Sequence, residues 1–249
     1  MDLGGSHVIS ALTAATLSGI AYGESRTDVS TALTAVPPAQ QGPWTLLWFA
    51  NDSANQAFAA ASADGSLAVA IRGTVTDPRS EAFWLDWFKQ DGGALEQQVW
   101  PWPGAPAGAY VAQGTLIGMC SLLSLTDSGS SLLALLKQHG GSGWVTITGH
   151  SLGGGLAATL APWLQQQLSE TGLRFQPITF AAPAIGNAIF AQWLEDSFSS
   201  AQHRYHNTLD VVPHAWAFPL ASTARPRTTS VPHPQTPRTF TAPPPRNVE

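Results

Sequence analysis

Ser151 sits in the pentapeptide Gly149-His150-Ser151-Leu152-Gly153, and the residues on either side of it decide how it reads. Val145-Thr146-Ile147-Thr148 is a β-branched strand pattern, and Gly154-Gly155-Leu156-Ala157 opens a helix of small residues. A G-x-S-x-G sequence between a strand and a helix encodes a sharp turn that lifts the serine hydroxyl above the sheet. Glycines on both sides leave room for that turn. The helix N-terminus that follows presents free backbone N–H groups, which favour developing negative charge. Without its flanks the pentapeptide is a glycine-rich turn; with them it is a candidate nucleophile.

A serine nucleophile needs a base, a carboxylate to orient the base, and donors for the oxyanion. On a strand–turn–helix nucleophile the acid and then the histidine are expected downstream. Asp210 lies in Arg204-Tyr-His-Asn-Thr-Leu-Asp-Val-Val-Pro213, after a strand pattern and where the chain leaves the sheet. That edge is where loops carry chemistry in open α/β sheets. The competing reading is a turn aspartate ahead of Val-Val-Pro. Leu67-Ala-Val-Ala-Ile-Arg-Gly-Thr74 is a strand ending in a loop. It offers the backbone N–H and hydroxyl of Thr74 as one oxyanion donor, with the N–H of Leu152 as the other. Taken alone, Arg72-Gly73-Thr74 is a plain strand exit.

These residues need elements to hold them. A first helix is expected over 8–22, then strands over Thr45–Ala50, Gln56–Ala61 and Leu67–Ile71, the last two joined by an Asp64-Gly65 turn. The proline-punctuated 99–108 reads as loop, and 109–139 as helix broken near 126–131. Trp144–Thr148 is the nucleophile strand and Gly153–Ser169 its helix, which Pro162 should kink or end. Phe175–Phe180, Asn187–Phe198 and Arg204–Asn207 complete the strand–helix–strand alternation. Such alternation predicts an α/β fold, a mostly parallel sheet with helices on both faces. Between the first half and the nucleophile, Asp77 and Pro78 can start a short helix over about 77–90. Phe83, Trp84, Trp87 and Phe88 share one of its faces. Such a segment can act as a lid over an apolar acyl site and turn outward at a lipid–water interface; the alternative is an ordinary core-packed helix.

Composition narrows the partners. The chain has 249 residues, 44% of them hydrophobic and 11% charged, with a net charge of −5 and only two lysines, Lys89 and Lys137. An acidic balance argues against nucleic acid. Ten tryptophans are many; Trp84, Trp87, Trp100 and Trp102 stand near loop signals, where aromatics suit an apolar ligand or an interface. Cys120, the single cysteine, is expected to be a buried helical thiol. No metal-ligand spacing and no phosphate loop occur, so no cofactor is expected. No apolar run reaches membrane-spanning length. The first residues lack a basic signal-peptide start, which leaves localisation open. Residues 1–218 read as one domain, and 219–249 as a tail rich in Pro, Thr and Arg, poorly ordered or loosely packed.

Five ordered segments together resemble a known family. Ile71-Arg-Gly-Thr74, the 77–90 lid, Thr146–Ala157, Thr179-Phe-Ala-Ala-Pro-Ala-Ile-Gly-Asn187 and Asn207–Pro213 are similar to class 3 lipases, the fungal triacylglycerol lipase type and its bacterial relatives, within the α/β-hydrolase superfamily. The resemblance runs over about 8–216. It implies a Ser/His/Asp serine esterase without cofactor, usually exported, acting on lipid esters. Val111-Ala-Gln-Gly-Thr115 departs from it, because the family has His and an aromatic at the second and fifth positions. The catalytic histidine departs further, since the family carries it dozens of residues beyond the acid and only 39 residues follow Asp210. His203 and His206 belong to the last strand, and His150 and His214 read as structural. His233, flanked by prolines, is the downstream base candidate. Either it folds back to complete the triad, or this chain lacks the base.

The expected function is therefore hydrolysis of acylglycerols or other apolar-acyl esters through an acyl-enzyme. Ser151 attacks, Asp210 and His233 activate, and Thr74 and Leu152 hold the oxyanion. The alternatives are a non-catalytic hydrolase-like protein that binds apolar ligands, and a feruloyl-type polar-ester hydrolase with a fixed lid.

Overall fold

The computed structural model describes residues 8–73, 96–139, 143–198 and 201–210. Thr74, the 77–90 segment with Phe83, Trp84, Trp87 and Phe88, and everything after Asp210, including His214, His233 and the 219–249 tail, lie outside them.

Helix α1 (Ala11–Ile20) starts where the Ser10 hydroxyl accepts the Thr13 N–H at 3.1 Å, an N-cap that satisfies one of the helix's orphan donors. Helix α2 (Arg26–Thr34) has no counterpart in the sequence pattern. Only Val29 and Leu33 are buried on it, too few to make a stripe, and its local signal is the Ser25 cap on the Asp28 N–H. Three antiparallel strands follow, β1 (Trp44–Asn51), β2 (Gln56–Ser62) and β3 (Leu67–Ile71), with the expected Asp64-Gly65 turn between the last two.

Strands β4 (Gln97–Val99) and β5 (Tyr110–Ala112) pair with each other around the proline-rich loop, so 110–112 is strand where helix was expected. Helix α3 (Gln113–Ser124), a hairpin of β6 (Thr126–Asp127) and β7 (Ser130–Ser131), and α4 (Leu132–Gln138) come next, the hairpin accounting for the predicted break. Then β8 (Gly143–His150), α5 (Leu152–Gln167), β9 (Leu173–Phe180), α6 (Ala188–Phe198) and β10 (His203–Tyr205) alternate as the sequence pattern predicts.

The central sheet has six strands in the order β1-β2-β3-β8-β9-β10. Its β3–β8, β8–β9 and β9–β10 pairs are parallel, and β2 runs against its two neighbours. The expected mostly parallel sheet is therefore what forms. Strand alternation sorts the side chains to two faces. Val69, Ile71, Val145, Ile147 and Phe175 pack with Met119, Leu136, Leu156 and Phe190 from the later helices. Phe58, Ala68, Ala70 and Ile178 pack with Ala14, Leu17, Val29 and Leu33 from α1 and α2. Helices thus cover both faces.

Two expectations change, and one of the two alternatives at Pro162 falls away. α5 runs through Pro162 without ending, despite the missing N–H. Ala161, Pro162 and Leu164 are buried there, and that packing outweighs a loss of roughly 3 kcal/mol. Cys120 is helical but exposed, because Thr115, Met119 and Leu122 form the buried face of α3. Trp100 is a core residue, 5% exposed, with its ring centroid 4.7 Å from Trp102 and 5.2 Å from Phe190; it fills space rather than waiting for a ligand. Among the described residues no helix is long and apolar enough to cross a membrane.

Candidate active site at the carboxyl edge of the sheet

The parallel strands end together. His150 on β8 stands in register with Phe180 on β9, and Phe180 with Tyr205 on β10. Immediately beyond His150 the chain reverses. Ser151 has φ 55° and ψ −128°, and α5 begins at the next residue. A non-glycine residue with positive φ stores about 1–3 kcal/mol of strain and persists only where its surroundings dictate it. Here they do: the Ser151 N–H donates to the Phe180 carbonyl at 2.9 Å, while its own carbonyl accepts from Gly154 N at 2.9 Å and Gly155 N at 3.2 Å.

The same turn requires close backbone approach. A Cβ on Gly153 would stand 2.7 Å from the Arg72 carbonyl carbon, and one on Gly149 2.8 Å from Gly154 N. Any side chain at either position would push α5 off β3 or off its own strand. The sequence's two flanking glycines are thus explained by contact between the turn and the exit of β3.

Leu152 opens α5, so its N–H is one of the first-turn donors with no acceptor inside the helix. Ser151 itself is partly buried. Asp210 follows β10 in a turn closed by Leu209 N to Asn207 Oδ1 at 3.0 Å and by Asp210 N to Asn207 O at 3.0 Å. Its carboxylate acts electrostatically on His150, tending to raise that imidazole's pKa. Three of the sequence-predicted residues, Ser151, Leu152 and Asp210, therefore share one edge of the sheet.

His150 is held by its neighbours rather than left in solvent. Its Nδ1 is 2.9 Å from the Tyr22 hydroxyl. Loss of hydration around the ring lowers its pKa below the ordinary histidine value, and this outweighs the opposing charge of Asp210. The structural reading of His150 fits this. His203 lies on β10 as expected, whereas His206 falls just past the strand's end. Among the described residues no imidazole hydrogen-bonds the Ser151 hydroxyl, and no group of three or more His, Cys, Asp or Glu could hold a metal.

Sequence reasoning missed two residues of this neighbourhood, Tyr22 and Gln56. Tyr22 follows α1 and meets His150 across 128 positions of chain. Gln56 begins β2 and is fully buried. Neither belongs to a motif, and only a polar residue inside an otherwise apolar strand run hints at Gln56.

Comparison with known proteins agrees with this architecture. The family model described as "Lipase (class 3)" matches residues 68–219. The structure of M37 lipase superposes with a TM-score of 0.72 at 24% identity, covering 83% of this chain and 69% of that one. A lipase from Rhizopus microsporus var. chinensis gives 0.59 at 21% identity, covering 82% and 67%. At such identities the likeness is one of fold. The Arabidopsis thaliana protein described as "Lipase-like PAD4" is 46% identical over 68 residues, 27% of this chain but only 12% of that protein.

Proposed function

The chain belongs to the class 3 lipase family, and from that premise we propose that it is a serine hydrolase of carboxylic esters with apolar acyl groups. The observation that carries this reading is Ser151 on its strained turn between β8 and the N-terminus of α5. Such a turn has little structural purpose, because it costs stability that a glycine would save. Its use is to present a hydroxyl beside backbone donors.

In this reading Ser151 Oγ attacks the ester carbonyl. The Leu152 and Thr74 N–H groups hold the oxyanion, Asp210 orients the imidazole, and His233 takes the serine proton and returns it to the leaving alcohol. Water then releases the acyl group by the same steps. Phe83, Trp84, Trp87 and Phe88 on the 77–90 segment form the apolar cover that opens at a lipid surface. Residues 1–218 make the catalytic domain and 219–249 an appended tail. No cofactor enters the scheme. A second reading, an apolar-ligand-binding protein without turnover, draws on the local 46% identity to a protein described as lipase-like.

A fluorophosphonate probe separates them. Labelling of Ser151, lost in Ser151→Ala, together with turnover of a soluble apolar ester, is the expected result. A folded protein that takes no label is the binding protein instead. His233→Ala should cut turnover towards the residual ~10³–10⁴-fold over water that oxyanion donors and binding alone provide. Unchanged turnover in that variant removes His233 from the mechanism. A rate that rises as triglyceride passes its solubility limit supports a moving cover.

A further inference from the structure

The Tyr22 hydroxyl touches both halves of the proposed site. On one side it is 2.9 Å from His150 Nδ1, in the residue that precedes Ser151. On the other it meets the backbone of Gly73, in the residue that precedes Thr74. A Cβ there would collide with this hydroxyl and stand 2.6 Å from the His150 carbonyl. Burial raises the phenol's pKa, while the Gly73 N–H and the charge of Arg72 act to lower it.

Tyr22 is itself clamped. The fully buried Gln56 donates its amide to the carbonyls of both neighbours, Ala21 at 2.9 Å and Gly23 at 2.7 Å. Its Oε1 accepts from Arg72 Nη1 at 3.1 Å, and its own carbonyl accepts the Arg72 N–H at 2.9 Å. One closed network thus joins the end of α1, the start of β2, the exit of β3 and the end of β8. A buried amide satisfied at all of these points holds its neighbours rigidly, because each broken bond would orphan a desolvated group.

We propose that Tyr22 is a positioning residue: its hydroxyl ties the Gly73 backbone, at the exit of β3, to the turn that carries Ser151. The proposal rests on the reading of Ser151 as nucleophile. The phenol and the His150 Nδ1 share one hydrogen bond, so losing the hydroxyl changes what that ring nitrogen meets and with it the imidazole's tautomer balance. The brace matters because the Ser151 hydroxyl and the Leu152 N–H on that turn act only within a narrow distance of the reacting carbonyl. Among the described residues, Asp210 acts on the imidazole and Arg72 on the phenol.

Tyr22→Phe keeps the ring and removes the hydroxyl. Wild type and variant are compared by melting temperature, fluorophosphonate labelling, kcat and KM on a soluble apolar ester, and the ¹⁵N shifts of the His150 imidazole. The expected result is an unchanged melt, kcat lower by about ten- to a hundredfold with KM nearly constant, and a shift in the His150 tautomer balance. Equal kcat and equal labelling rates in the two proteins overturn the brace while leaving the nucleophile intact. Absence of labelling in the wild type overturns the nucleophile reading and the brace's catalytic role together. A fall in kcat that merely tracks a lower melting temperature, with His150 shifts unmoved, also overturns the brace.

Discussion

At the scale of single residues, the site is a place where local preference is overruled. Ser151 at φ 55° would be relieved by glycine. Ser151→Gly is therefore expected to be inactive yet to raise stability by about 1 kcal/mol or more, measured by denaturant unfolding, whereas Ser151→Ala should leave stability near the wild-type value. Gly153→Ala is expected to do the opposite, losing about 1–3 kcal/mol through the collision with Arg72 as well as the activity. A Gly153→Ala protein as stable as wild type would mean that α5 does not lean on β3 as described. Ser151, Leu152 and Asp210 could be named from the sequence because motif and order point to them. Tyr22 and Gln56 could not, since what they do is defined by partners far away in the chain.

Elements add their own tests. The turn between β2 and β3 is built around Asp64. Burial pushes its carboxyl pKa up, but the Ser62 hydroxyl, the Ser66 N–H and the Gln41 amide bond the ionised form and lower it to about 2. A depressed carboxylate stabilises the fold above its unfolded value near ~3.9, and that contribution disappears as pH falls towards about 2. The melting-temperature gap between wild type and Asp64→Asn should be full above pH ~4 and close on acidification; a gap independent of pH would refute the assignment. Helix α2 depends on its cap, so Ser25→Ala should cost about 1 kcal/mol. On α3 the exposed Cys120 should react with a thiol reagent in the native protein without denaturant. Periodicity sees helices with apolar stripes and misses α2, whose polar sequence is held by contact with β1.

For the whole molecule, two apolar layers on one sheet set the stability. Phe175 lies in the larger layer at 1% exposure, and Phe175→Ala should cost about 3–5 kcal/mol in a single cooperative transition. Two separate transitions would instead show that the layers fold independently. The amino-acid sequence by itself determined the α/β class and the strand–turn–helix around Ser151, because alternation, glycine placement and β-branching are local properties of the backbone. The tertiary structure alone decided that Cys120 faces water, that Trp100 is core, that α5 survives Pro162, and that Tyr22 meets His150 and Gly73. Each of these depends on which surface another element covers, and packing between segments distant in sequence leaves no mark on the residues one at a time.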